Sequence, residues 1–162
     1  MLFRALFIFV SLFITSYAVA DETLVTAEVT EIVDGDTIFV SIGGEQRIIR
    51  LAAIDADELT QPFGSISKEY LTKLIEGKVV EIRLVNRGKR DRSGHYIAYV
   101  FLGGTEVNQL MVSHGMAWVH RPYSGDRGLL RLEDVAKENQ VGLWANENPI
   151  APWVWRVMSD HF

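Results

Sequence analysis

The sequence has no cysteine among its 162 residues. Disulfide bonds are therefore excluded, and so are zinc sites that depend on thiolate ligands. The 4 histidines do not show the paired spacing of a histidine zinc site either. A chain of this length, with 48% hydrophobic residues, is nevertheless long enough to bury a stable core without such cross-links.

Basic charge is also scarce. The chain has 16 lysine and arginine residues against 21 aspartate and glutamate residues, which gives a net charge of −5 at pH 7. This balance opposes general adhesion to nucleic acids, because their phosphates attract basic proteins. A polyanionic substrate would therefore require a local basic patch or a bridging cation.

The first twenty residues differ from the rest of the chain. Arg4 precedes an apolar run that ends in Ala18-Val19-Ala20, the pattern of a secretory signal peptide over residues 1–20. An uncleaved anchor is the alternative, but the run is shorter than the roughly 20 residues of a membrane span. We expect an exported protein, periplasmic or secreted, with one domain over residues 21–162 and no stable membrane association after cleavage.

Five segments are rich in β-branched residues or alternate between apolar and polar residues. The pattern predicts strands at 24–33, 37–42, 46–54, 79–85 and 95–102. Asp34-Gly35 and Gly43-Gly44 are turn signals between the first three strands. The first three strands are therefore predicted to form an antiparallel meander.

Apolar residues at helical spacing, bounded by start and stop signals, predict three helices. They lie at 62–77, 107–114 and 126–140. The tail, residues 143–162, is rich in tryptophan and proline, and we expect Trp144, Trp153 and Trp155 to clamp it onto the core. Together these elements predict an α+β fold, a five-stranded OB-type β-barrel with three helices.

Acidic residues lie at the ends of two predicted strands. Alternation places Asp36 on the inward face with Ile38 and Val40, and Asp55 lies at the end of the next strand. Two such carboxylates suit a hard divalent cation such as Ca²⁺, with water and substrate phosphate completing the oxygen shell. The alternative is a buried strand followed by a solvated acidic turn in which Asp55 and Glu58 have no chemical role.

Longer motifs occur in the order of a known family. They are Ile32-Val33-Asp34-Gly35-Asp36-Thr37, Arg50-Leu51 with Asp55 and Glu58, the segment 91–100, and Gly142-Leu143-Trp144. With the tail Pro152-Trp153-Val154-Trp155-Arg156, they resemble the staphylococcal nuclease (thermonuclease) family, and in particular its exported bacterial members. The resemblance covers nearly the whole chain after residue 20.

The resemblance implies a calcium-dependent phosphodiesterase, an endonuclease that cleaves DNA and RNA and leaves 3′-phosphate ends. It implies that Asp36, Asp55 and the carbonyl of Ala56 hold Ca²⁺. It further implies that Glu58 acts as general base on the attacking water and that Arg50 contacts the phosphate. We expect a monomer that prefers single-stranded or locally unpaired nucleic acid.

Two positions depart from the family pattern. His95 stands where the family has a second phosphate-contacting arginine, and histidine offers at most two donors and is only partly protonated near neutral pH. We therefore expect a slow nuclease, or one that works better at mildly acidic pH. Asp57 stands where the family has proline, which predicts a looser turn with Asp57 as a solvated residue; a further metal ligand is the alternative.

One dense basic run is present, formed by Arg87, Lys89, Arg90 and Arg92. We expect this run to follow the phosphate backbone and Tyr123 to contact a nucleotide. A solvated loop is the alternative for the basic run.

The missing arginine leaves a second hypothesis for the whole protein. It is a catalytically weak or inactive OB module that binds nucleic acid or oligosaccharide. A structural interaction domain that uses the tryptophan-rich tail is a third.

Overall fold

The computed structural model describes residues 24–123 and 125–159. The predicted signal peptide, residues 1–20, lies outside these described residues. No helix within them is both long enough and apolar enough to cross a membrane.

Eight strands and four α-helices are present in the described part of the chain. The strands are β1 (Leu24–Ile32), β2 (Thr37–Ile42), β3 (Glu45–Leu51), β4 (Ile54–Asp55), β5 (Val79–Leu84), β6 (Tyr96–Leu102), β7 (Thr105–Glu106) and β8 (Trp118–Val119). The helices are α1 (Gly64–Ile75), α2 (Val107–Ser113), α3 (Arg127–Glu138) and α4 (Pro152–Ser159).

Five of the strands close into a mixed barrel, as the sequence predicts. β1 pairs antiparallel with both β2 and β5, β3 pairs antiparallel with β2, and β6 pairs antiparallel with β5. Parallel pairing of β3 with β6 closes the barrel and sets Arg50 opposite Ile97. The short strands β4 and β8 pair with each other outside this sheet.

The barrel interior follows the alternation of apolar residues along each strand. Side chains pointing inward include Val29, Ile38, Val40, Ile49, Ile82 and Val100, all fully buried. Leu71 and Ile75 of α1 belong to the same hydrophobic cluster, as do Val107 and Met111 of α2. Asp126 caps α3 by accepting hydrogen bonds from the amides of Gly128 and Leu129, as its position in the sequence predicts.

Two features differ from the sequence-based expectation. The third strand was predicted to reach residue 54, but β3 ends at Leu51 because Ala53 adopts a left-handed φ of 63°. The chain then resumes as β4, which pairs with β8 instead of continuing in the barrel. A fourth helix, α4, also forms in the tail, where the sequence predicted only clamping aromatic residues.

Candidate functional site

Two buried aspartates form the centre of the candidate site. Asp36 immediately precedes β2 and Asp55 ends β4, and each is only 2% exposed. One carboxylate oxygen of Asp36 accepts a hydrogen bond from the amide of Ala56 at 2.9 Å, and the other accepts one from the Thr37 hydroxyl at 2.8 Å. The turn before β2 and the end of β4 are therefore joined through the Asp36 side chain.

A close approach of backbone to helix brings Asp36 to this position. A Cβ at Gly35 would overlap the hydroxyl of Ser67 in α1 and the Cβ of Ala56, so only glycine fits there. Asp34 further shapes the turn, because its carboxylate accepts a hydrogen bond from the Asp36 amide at 2.9 Å. The Asp-Gly turn predicted from the sequence thus packs against α1 and directs Asp36 toward β4.

Arg50 of β3 lies within ion-pair distance of both aspartates. Its Nε is 3.5 Å from Oδ1 of Asp36, and one Nη is 3.9 Å from Oδ1 of Asp55. These distances are longer than those of a direct hydrogen bond, and about a third of the side chain is exposed (35%). The guanidinium is therefore held beside the carboxylates and still faces solvent, where a phosphate can approach.

The Asp36 carboxylate is poorly compensated in its buried position. Burial raises its pKa to about 7, against the opposing effect of Arg50 and with a further contribution from the charge of Asp34. A bound cation would relieve this desolvation, since a nearby opposite charge favours the ionised form. The environment of Asp36 therefore fits a metal ligand.

The available donors suit a hard cation that keeps part of its water shell. Within the described residues, no three carboxylate or imidazole side chains are grouped closely enough to hold a metal by themselves. Asp36, Asp55 and the carbonyl of Ala56 offer oxygen ligands only, which calcium and magnesium prefer. With so few protein ligands, water and substrate oxygens must complete the shell.

Glu58 lies three residues beyond Asp55, in the turn between β4 and α1. Its amide donates a hydrogen bond to Oε1 of Gln61 at 2.8 Å, and its carboxylate is partly exposed. The carboxylate accepts a hydrogen bond from Arg156 of α4 at 2.6 Å. Glu58 is thus close to Asp55 and also reachable by solvent.

Arg156 is the site residue that sequence reasoning missed. Its guanidinium binds both carboxylate oxygens of Asp55, at 2.7 and 3.2 Å, in addition to Glu58. Hydrogen bonds to Asp55 raise the pKa of Arg156, with burial opposing and Glu58 contributing in the same direction, so the group is firmly charged. A resemblance of the tail to exported family members was the one signal that pointed to this segment.

Asp57 is not the solvated turn residue that the sequence predicted. It is 7% exposed, and its carboxylate accepts a hydrogen bond from the Trp118 indole at 3.0 Å. Burial raises the pKa of Asp57, and the Trp118 hydrogen bond opposes that effect. The prediction was wrong because β8, far away in sequence, covers this turn, which is therefore fixed without the family proline.

His95 lies at the entrance of β6, two residues before Ile97, which pairs with Arg50. Its ring Nδ1 is buried without a hydrogen-bond partner, 3.7 Å from the carboxylate of Asp91. The His95 amide donates to Asp91 at 2.9 Å. In the described structure the polar neighbour of this ring is therefore Asp91, and the role of His95 toward phosphate stays a prediction.

His120 directly follows β8 and lies near the site carboxylates. Its ring stacks on Trp153 with a centroid separation of 5.7 Å. Burial lowers the pKa of His120, while the charge of Asp55 opposes this shift and the charge of Arg156 adds to it. His120 therefore lies within the electrostatic field of the site.

The basic run has an exposed position beside the barrel. Its side chains, those of Arg87, Lys89, Arg90 and Arg92, are all exposed. Arg90 lies over the ring of Tyr96 at 4.8 Å and donates to its hydroxyl at 3.3 Å. The side chain of Tyr123 lies outside the described part of the structure, so its predicted contact with a nucleotide stays a prediction.

Known proteins are similar to this chain in sequence. Residues 48–146 match the model of a family described as staphylococcal nuclease homologue. The chain is 41% identical over 132 residues to an uncharacterized endonuclease of Haemophilus influenzae; the aligned region covers 81% of this chain and 72% of that protein. It is 36% identical over 142 residues to a micrococcal nuclease of Shigella flexneri, which covers 83% of this chain and 82% of the relative.

Proposed function

This chain belongs to the staphylococcal nuclease family, and from that premise we propose that it is a calcium-dependent phosphodiesterase acting on DNA and RNA. The observation that carries the proposal is the pair of buried aspartates, Asp36 and Asp55, flanked by Arg50. An acidic protein of net charge −5 can approach a polyanion through such a cation site. We further propose that it is exported, acts as a monomer, and prefers single-stranded or locally unpaired substrates.

Asp36, Asp55 and the carbonyl of Ala56 would hold the cation. When bound, calcium supplies Lewis-acid polarisation of a phosphoryl oxygen. The partial exposure of Arg50 leaves its planar guanidinium free to donate two hydrogen bonds to phosphate oxygens. These residues thus bind and orient the phosphodiester between them.

Glu58 is the group that receives a proton from the attacking water. It is solvent-accessible and close to Asp55, so a water molecule can reach it beside the phosphate. Attack of that water on phosphorus breaks the bond to the 5′ oxygen, which takes up a proton from solvent; the products are a 3′-phosphate and a 5′-hydroxyl. General-base catalysis of this kind contributes typically about 10²–10⁴-fold to the rate.

The second phosphate contact is weaker than in an arginine-containing site. His95 presents fewer donors than a guanidinium, and only its protonated form carries charge. We therefore propose a slow nuclease, or one that works better at mildly acidic pH. The exposed basic run is proposed to follow the nucleic-acid backbone through electrostatic attraction.

The test is cleavage of single-stranded DNA and RNA oligonucleotides by the protein after removal of residues 1–20. Reactions with Ca²⁺ or with a chelator are compared from mildly acidic to mildly alkaline pH. We expect calcium-dependent cleavage, a loss of about 10²–10⁴-fold in Glu58→Gln, and little change in Glu69→Gln, which alters an exposed helix carboxylate. End-group analysis of the products checks the 3′-phosphate.

One observation keeps a binding module without catalysis as the second candidate. The Nδ1 atom of His95 is buried 3.7 Å from the Asp91 carboxylate, which leaves this ring one other nitrogen to offer a phosphate where a guanidinium would offer several donors. Oligonucleotide binding without calcium-dependent cleavage at any tested pH would favour this second function and contradict the nuclease proposal.

A further inference from the structure

The tail helix α4 is docked over the turn that carries Asp55 and Glu58. The Trp155 indole donates to the hydroxyl of Thr60 at 3.0 Å. Next to α4, the Gln61 side chain donates to the carbonyl of Ile150 at 2.8 Å. Trp153 packs edge-on against Trp118 with a centroid separation of 5.7 Å. The helix is thus fixed by contacts that do not involve its arginine.

Arg156 adds a charged contact to this docked helix. It places one terminal nitrogen between Oδ1 of Asp55, at 3.2 Å, and Glu58, at 2.6 Å, while the other terminal nitrogen binds Oδ2 of Asp55 at 2.7 Å. Three of its five N–H donors are therefore used by two carboxylates. A planar, bidentate contact of this kind fixes direction as well as distance.

The two carboxylates need such a cation to stay together. Asp55 and Glu58 are like charges, which repel each other when they share a site. The Glu58 carboxylate has no other hydrogen-bond donor among the described residues, so Arg156 alone fixes its direction. Without Arg156, Glu58 would be expected to turn toward solvent.

Arg156 also places a second guanidinium beside Arg50. Both groups approach the same oxygen of Asp55, at 3.2 Å from Arg156 and 3.9 Å from Arg50. The barrel itself has His95 at the position that the family pattern assigns to the second arginine, and its ring is turned to Asp91. The second guanidinium of the site therefore comes from the tail and not from the barrel.

We propose that Arg156 is a positioning residue of the nuclease site, which holds the Glu58 carboxylate beside Asp55 in the direction required to accept the proton of the attacking water. This inference rests on the proposed function. It also assigns a catalytic purpose to the tail helix, which lies beyond the segment that matches the family model, residues 48–146. A misdirected general base costs rate because a misplacement of ~1 Å can reduce turnover by about 10²-fold.

The experiment compares Arg156→Gln with the wild-type protein in steady-state cleavage of an oligonucleotide with Ca²⁺. We expect kcat to fall by about 10²-fold with little change in KM. Arg156→Lys should recover part of the loss, because lysine restores the charge without the planar fork. Added methylguanidine should partly restore the activity of Arg156→Ala. The double variant that combines Arg156→Gln with Glu58→Gln should be no slower than Glu58→Gln alone.

Two control variants separate positioning from a merely structural role. Trp155→Phe removes the Thr60 hydrogen bond and loosens α4 without touching the carboxylates. Arg131→Ala removes an exposed arginine from another helix and controls for net charge. Thermal unfolding of every variant shows which losses of activity reflect loss of folded protein.

Several results would overturn the proposal. Higher kcat in Arg156→Gln would show that the tail inhibits the site instead of assembling it. Equal losses in Arg156→Gln and Trp155→Phe, or additive losses with Glu58→Gln, would show a docking role only. If the wild-type protein does not cleave, the proposed function fails by itself. Crystal structures of the wild type and Arg156→Gln then still decide whether Arg156 fixes Glu58: an unmoved carboxylate overturns the inference.

Discussion

At the scale of single residues, Asp36 is the most consequential group in the site. Its carboxyl is almost fully buried, and burial raises its pKa from 3.8 to about 7. Between these two values the folded protein binds a proton that the unfolded chain does not. The stability that comes from this proton is fully present below pH 3.8 and is lost as the pH rises through about 7.

The metal-free protein is therefore predicted to unfold at a lower temperature at pH 8 than at pH 5.5. Asp36→Asn should flatten this dependence, because an amide of the same shape does not titrate. Thermal unfolding in a chelator, followed by circular dichroism at both pH values, measures the difference between wild type and variant. An equally steep pH dependence in Asp36→Asn would assign the effect to other groups, such as Asp57, whose pKa burial also raises.

His95→Arg is the second prediction at this scale. The residue lies two positions before the residue of β6 that is opposite Arg50, and its ring Nδ1 is buried without a hydrogen-bond partner. An arginine there would add charge-assisted donors toward a phosphate held by Arg50. We expect cleavage to rise by about tenfold or more, since one preorganised donor at such a site is worth roughly 10²–10³-fold.

The matched control for this gain is Ser93→Arg, which adds the same charge at an exposed position of the same turn. Initial rates on one oligonucleotide at several salt concentrations compare the two variants. An equal increase in both would indicate general attraction to the polyanion and would contradict a specific contact at position 95.

At the scale of elements, β8 and α3 fix the position of the acidic turn that contains Asp57. Glu133 of α3 is 1% exposed and accepts hydrogen bonds from the Val119 amide at 2.8 Å and from Lys137 at 2.6 Å. Val119 follows Trp118, the residue that binds Asp57. The position of the turn therefore depends on a helix more than seventy residues later in the chain.

Glu133→Gln is predicted to destabilise the fold by about 1–2 kcal/mol, because the neutral amide loses the charge-assisted hydrogen bonds from Lys137 and Arg121, whose own charges stay partly solvated. Since β8 carries Trp118, activity should also fall at temperatures where the protein remains folded. Urea unfolding measures the first effect, and cleavage at 25 °C or below measures the second. Glu138→Gln, an exposed position on the same helix, is the control and should change neither.

Local sequence patterns predict the elements of this fold well. Alternation along β2 correctly predicts that Asp36 is buried with the inward face, and the bounds of β2 agree with the prediction. The end of β3 was missed, because nothing in the sequence shows that Ala53 takes a left-handed conformation, which alanine seldom adopts. That single backbone angle separates β4 from the barrel.

Long-range contacts were the part that the sequence could not supply. Arg156 lies 101 residues from Asp55 and belongs to an aromatic-rich segment for which only a packing role was predicted. Asp57 was expected to be solvated because its cover, Trp118, is 61 residues away. The sequence shows which charged residues are present, but which of them form pairs depends on how distant elements pack against each other.

At the scale of the whole molecule, the proposed calcium site predicts that stability depends on calcium. The chain carries a net charge of −5, and Asp36, Asp55 and Glu58 lie at the same end of the barrel, where Arg50 and Arg156 offset only part of their charge. A ligand that binds only the folded state stabilises it by mass action, by about 2.7 kcal/mol at a hundredfold excess over its dissociation constant. Calcium is therefore predicted to raise the unfolding temperature in a saturable way.

Differential scanning calorimetry at constant ionic strength tests this prediction. Calcium should stabilise the wild type more than magnesium does, because magnesium demands a regular octahedral shell and gives up its water reluctantly. Asp36→Asn should lose most of the effect, whereas Glu69→Gln should keep it. Below about pH 7 the same shift should require more calcium, because protons compete with the metal for Asp36. Equal stabilisation by both cations, or an undiminished shift in Asp36→Asn, would indicate screening of surface charge and would contradict a specific site between Asp36 and Asp55.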